Sequence, residues 1–140
     1  MIEKDGSFLL IDSSIWIDYY RPKASEEVKR KLQSALRLRK VAICGLIAVE
    51  VLQGAADYSA YSLLQEDFLG LRWLDITQGV WFEAARLAAF LRQRGLAFPI
   101  VDITIAATAI YYKCSLWHRD EHFNLIAKYT SLQISSPILS

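Results

Sequence analysis

The chain has 140 residues, 54% of them hydrophobic, with six glycines, three prolines and a formal net charge of +1 at pH 7. That length suits one domain over residues 1–140 with a sizeable core, and the apolar content excludes the disordered and fibrous classes. Two cysteines, Cys44 and Cys114, lie inside apolar runs without CxxC spacing, as expected of buried free thiols in a reducing compartment rather than a disulfide framework.

In chain order, the opening residues carry no basic leader before an apolar stretch, and no apolar run is long enough to span a bilayer, so a cytoplasmic protein is expected. Residues 8–11 read as a fully apolar strand, with capping oxygens at Asp12, Ser13 and Ser14 for a short helix over 14–20. Ser25 caps a second helix, in which Val28, Leu32, Ala35 and Leu36 recur at helical spacing. Residues 41–43 form a brief strand, followed by a helix that carries Glu50 and ends near Gly54. Asp57 opens a further helix to Gly70, and residues 71–76 read as a third strand with an exposed end. Thr77 caps a long helix to Arg94 whose inner face is Trp81, Ala84, Ala85, Ala88 and Leu91. Pro99 makes 96–101 a loop, and Asp102 stands at the start of the next helix. Residues 115–117, 121–128 and 132–134 complete the pattern as strand, helix and edge strand. This alternation predicts an α/β fold: a three-layer α/β/α sandwich around a central, mainly parallel sheet.

Four acids fall at one predicted edge of that sheet. Asp12 leaves the first strand, Glu50 projects from the helix after the second, Asp102 opens its helix and Asp120 closely follows the run 114–117. The carboxyl ends of parallel strands are the usual ligand crevice of such sheets. Carboxylates crowded there repel one another without a cation, and hard oxygen donors suit Mg²⁺ or Mn²⁺. Each acid also has a plainer role. Asp12, Asp102 and Asp120 suit helix starts, and Glu50 suits a solvent-facing position. Asp18, Asp57, Asp67, Asp75 and Glu83 are expected on outer faces, caps or turns. His118 and His122 flank Asp120 with i,i+4 spacing but without HExxH, which disfavours zinc. GxGxxG, Walker A and GxSxG patterns are absent.

Residues 21–40 hold eight of the sixteen basic side chains against two acids, Glu26 and Glu27, so this segment is net +6 and the remainder net −5. It reads either as a solvated helix face or as a contact surface for a polyanion beside the carboxylates.

In this order, the segments 10–17, 43–54, 101–109 and 116–123 resemble the motifs of the PIN-domain ribonucleases, and specifically the VapC toxins of bacterial and archaeal toxin–antitoxin pairs. The resemblance covers nearly the whole chain. It implies a PIN-like fold and metal-dependent endonucleolytic cleavage of structured RNA such as tRNA or rRNA, with inhibition of translation. It also implies Mg²⁺ (or Mn²⁺) as cofactor, neutralisation by a cognate VapB-like antitoxin, and a homodimer. Carried over by motif, Asp12, Glu50 and Asp102 are central metal-binding acids and Asp120 is the fourth carboxylate or an outer-shell residue. Ser13 matches a hydroxyl position that orients water or phosphate. His122 departs from the pattern, since many related toxins have an aspartate there. Thr104, two residues after Asp102, is expected to bond locally within its helix. Tyr58, Tyr61, Trp73 and Trp81 are available for aromatic contacts but are expected chiefly in the core. Competing readings are a DNA or structure-specific nuclease, and a catalytically inactive RNA-binding or scaffold protein whose acids only cap helices. A metal-dependent phosphatase is disfavoured because Asp12-Ser13-Ser14 lacks the DxDx pattern.

Overall fold

Apolar runs of three or four residues are too short to form an amphipathic helix, and this chain buries them as strands covered on both faces. The computed structural model describes residues 8–135, so the opening residues read above for a leader lie outside the described residues. The elements are β1 (Leu9–Ile11), α1 (Ser13–Tyr19), α2 (Glu26–Arg37), β2 (Val41–Ile43), α3 (Gly45–Leu52), α4 (Tyr58–Leu69), β3 (Arg72–Trp73), α5 (Gln78–Arg92), α6 (Ile100–Tyr112), β4 (Ser115–Trp117), α7 (Glu121–Tyr129) and β5 (Gln133–Ile134).

All strand pairings are parallel, in the order β3-β2-β1-β4-β5. Leu10 on the central strand stands beside Ala42 on one side and Leu116 on the other, and all three are fully buried. From β1 the chain first builds outward through β2 and β3, then returns past β1 to place β4 and β5. With right-handed crossovers, the reversal puts α1–α4 on one face and α5–α7 on the other. The helix contacts agree: α1 packs on α2 and α3, α3 on α4, α5 on α6, and α6 on α7. The expected α/β/α sandwich is therefore present, with an entirely parallel sheet. Among the described residues no helix is long and apolar enough to cross a membrane.

Local signals set the helix starts. The side chains of Asp12, Ser25, Asp57, Thr77 and Asp120 each accept a hydrogen bond from a backbone N–H of the first turn that follows, satisfying donors that a helix start leaves open. Lys113 ends α6 in the left-handed region at φ 59°.

Four expectations are corrected. The third strand is only Arg72–Trp73, and the chain leaves the sheet after Leu74 N donates to Ile43 O. The inner face of α5 is Val80, Ala84, Leu87 and Leu91, whereas Trp81 is 48% exposed. This helix is apolar on several sides, so periodicity alone does not orient it. Tyr58 and Trp73 are also exposed rather than in the core. Finally, Asp18 is buried and forms an ion pair with Arg119 at 3.0 Å, instead of standing on an outer face.

Ile11 is fully buried in the central strand. Replacing it with alanine is expected to cost about 2–5 kcal/mol, read as a lower midpoint in urea unfolding with an unchanged slope.

Candidate metal centre

The direction of strand addition reverses between the adjacent strands β1 and β4, and the carboxyl ends of strands at such a reversal are where open α/β sheets usually bind ligands. Asp12 follows β1 directly, and its backbone N donates to Trp117 O at 2.9 Å, extending the β1–β4 pairing by one residue. Asp12 is only 6% exposed. Asp12 Oδ2 accepts from Ser14 N at 3.2 Å and Ser14 Oγ at 2.8 Å, so capping and a place in the crevice coexist.

Glu50 reaches the crevice from α3, where its Oε1 accepts from Ser13 Oγ at 3.0 Å. Ser13 thus orients a carboxylate. Burial raises the Glu50 pKa above the ordinary glutamate range, and the charges of Asp12 and Asp102 add to that rise, while the Ser13 hydrogen bond opposes it. Asp102 lies in the first turn of α6, and α6 also touches α3 across the end of the sheet. Thr104 is fully buried and its hydroxyl donates to Ile100 O at 2.7 Å, which leaves it outside the crevice chemistry.

Asp120 and His122 arrive together on the loop from β4 into α7. Asp120 Oδ1 accepts from His122 N at 2.9 Å. His122 Nδ1 lies 2.7 Å from Asp102 Oδ2 and 3.7 Å from Asp120 Oδ1. The hydrogen bond to Asp102 raises the His122 pKa. His118 does not join them: its Nδ1 accepts from Asp120 N at 2.9 Å and its ring packs beside Phe123, while burial lowers its pKa. The structure therefore separates the two histidines instead of making a zinc pair.

One further residue, Arg119, holds this loop in place and was not singled out from the sequence. Arg119 N donates to Ser14 Oγ at 3.3 Å, and its guanidinium pairs with Asp18. The loop bearing Asp120 is thereby fixed at two points to α1, next to Asp12. Neither contact has a local sequence signal, because the partners are about a hundred residues apart.

Asp102, Asp120 and His122 offer ligand atoms within 4.8 Å of one another, the one such group among the described residues. Asp12 and Glu50 lie beside this group, close enough for both Asp12 and Asp102 to act on Glu50 electrostatically. Among the described residues no lysine or arginine forms an ion pair with any of the four acids. Hard oxygen donors, partial burial and a shortage of positive charge fit a divalent cation. Next to Glu50, an open cavity of about 260 Å³ is lined by Ile17, Tyr20, Arg21, Val51, Gly54 and Leu64.

The basic segment is not concentrated at this edge. Arg21 lines the cavity, but Arg39 and Lys40 immediately precede β2. They therefore sit at the opposite edge of the parallel sheet from the carboxylates.

Residues 9–129 match the PIN domain family. The chain is 35% identical over 133 residues to ribonuclease VapC11 of Mycobacterium tuberculosis, covering 91% of this chain and 98% of that protein. Among solved structures, FitAcB from Neisseria gonorrhoeae aligns with a TM-score of 0.78 at 22% identity, covering 93% of this chain and 98% of the other. VapBC2 from Rickettsia felis, bound to a DNA fragment from its promoter, aligns with a TM-score of 0.75 at 20% identity over 91% and 97% of the two chains.

A raised carboxyl pKa in the folded state means that the native protein holds this proton more tightly than the unfolded chain. Stability therefore falls as pH rises from the ordinary glutamate value through the raised one. In the presence of a chelator, Glu50→Gln is expected to raise Tm at pH 7 by about 1–2 °C, a small effect because the group is partly solvated. The gain should vanish below about pH 4, where the wild-type glutamate is protonated in both states. A lower Tm than wild type at pH 7 would contradict this electrostatic account.

Proposed function

This chain belongs to the PIN-domain family, and from that premise we propose that it is a single-domain, metal-dependent endoribonuclease toxin. It hydrolyses phosphodiesters in structured RNA, tRNA or rRNA, and so inhibits translation in the cytoplasm. The observation that carries this reading is the convergence of Asp12, Glu50, Asp102 and Asp120 at one sheet edge without a lysine or arginine partner among the described residues. The match to a ribonuclease over most of the chain supports the substrate class.

The proposed cofactor is a divalent cation, Mg²⁺ or Mn²⁺, held by Asp12, Glu50, Asp102 and Asp120. A divalent cation supplies charge stabilisation to the phosphate and lowers the pKa of water. The protein's own part is to fix the donors. Ser13 holds the Glu50 carboxylate by its hydroxyl, Ser14 holds Asp12, and the Arg119 contacts to Ser14 and Asp18 set the spacing between the β1 and β4 halves of the crevice. Asp120 has one oxygen engaged by the helix start, which leaves its second oxygen to face the cation or to position water. Flexible cations such as Arg21 contact backbone phosphates, and RNA shape with unpaired loops supplies selectivity.

The proposed protein partner is a cognate VapB-like antitoxin, and the protein forms a homodimer. The cavity beside Glu50 supports the antitoxin reading. Exposed Ile17 and Tyr20 offer apolar surface in the cavity beside Glu50, which an inhibitory segment with apolar and cationic side chains would cover. The FitAcB and VapBC2 alignments are consistent with such pairing.

The test is cleavage of total cellular RNA, with products mapped, and of matched DNA in the same salt with Mg²⁺, Mn²⁺ or chelator. Cleavage of RNA is expected only with metal, and Asp102→Asn is expected to reduce it to background while melting cooperatively. Faster cleavage of DNA would reject the substrate class. RNA retention with no metal-dependent product would favour the inactive-scaffold reading.

A further inference from the structure

His122 is the one nitrogen donor in the metal-competent group among the described residues. Its side chain is 47% exposed, so core packing does not account for it. Helix capping does not account for it either, because Asp120 performs that role and His122 contributes only its backbone N–H. The imidazole is nonetheless aimed. The first turn of α7 fixes its origin, the Phe98 ring meets it nearly edge-on at 5.5 Å, and Nδ1 points at the carboxylates of Asp102 and Asp120.

We propose that His122 is a metal ligand, joining Asp102 and Asp120 in a mixed nitrogen and oxygen set that favours a first-row transition-metal cation over Mg²⁺. The inference rests on the divalent-metal reading above and adds which cation the site selects. Mg²⁺ takes oxygen donors and gives up its waters reluctantly, so replacing a carboxylate by an imidazole weakens its hold. An imidazole nitrogen is a good ligand for the divalent ions of the first transition row, whose affinity for mixed sites rises from Mn²⁺ onward. Asp102 would then be shared, facing Glu50 and Asp12 on one side and His122 on the other.

The protein has two histidines in all, which makes the ligand assignable by spectroscopy. Tag-free, full-length protein is loaded with Mn²⁺ and examined by pulsed electron paramagnetic resonance for the ¹⁴N modulation of a coordinated imidazole. Calorimetric titration with Mn²⁺ and with Mg²⁺ supplies affinities, and circular dichroism confirms folding. The wild type and His118→Gln should show the ¹⁴N signal, and His122→Gln and His122→Asp should lack it. In His122→Gln the Mn²⁺ Kd should rise at least about tenfold, with a smaller change for Mg²⁺. His122→Asp should recover Mg²⁺ binding. Mn²⁺ bound by the wild type without ¹⁴N modulation overturns the ligand assignment and leaves the carboxylate centre standing. No Mn²⁺ binding by the wild type overturns both.

Discussion

Like-charge repulsion between carboxylates that cannot move apart is the constraint around which this fold is organised. Asp12 is tied to the end of β1 by a backbone hydrogen bond to β4, Glu50 to Ser13, and Asp120 to the start of α7. Swinging outward would cost Asp12 and Asp120 their helix-cap hydrogen bonds and Glu50 its bond from Ser13. Burial and neighbouring charge already raise the Glu50 pKa. That cost falls at the switch point of a parallel sheet, and a divalent cation bound there would relieve it.

The positive charge does not come from the chain's own basic segment. Residues 21–40 wrap from the site end of the molecule, where Arg21 lines the cavity, down α2 to the opposite sheet edge at Arg39 and Lys40. A polyanion following that surface would extend well past the four carboxylates. Meanwhile the apolar side chains of Ile17 and Tyr20 in the cavity suit a protein segment better than a nucleic acid. In the proposed reading, substrate and inhibitor would meet at Glu50, and a partner would silence the protein by covering it.

Much of the fold was legible because its signals are local. Capping oxygens at Asp12, Ser25, Asp57 and Thr77 each start a helix where expected, and short apolar runs flanked by them become buried strands. Glu50 on a helix followed from the spacing of Leu46, Val49, Glu50 and Gln53, and Asp102 in a first helical turn from the break at Pro99, although neither helix has a side-chain cap. What escaped depends on distant partners or on featureless apolarity. Asp18 looks like a surface acid until Arg119 is brought to it by the β1–β4 pairing. The inner face of α5 was misplaced because alanine and aromatic residues surround the helix on several sides. For His122, the sequence marks a departure from a pattern, but only the folded chain brings its Nδ1 to Asp102.

The central claim is that these carboxylates are gathered to hold a divalent cation, and crystals of the protein grown with Mn²⁺ test it most directly through anomalous diffraction. The account predicts a strong anomalous peak at coordination distance from Asp102, with the remaining ligands drawn from Asp12, Glu50, Asp120 and His122. A map with no peak in the crevice at saturating Mn²⁺, the acids instead bonded only to backbone N–H groups and water, would contradict it.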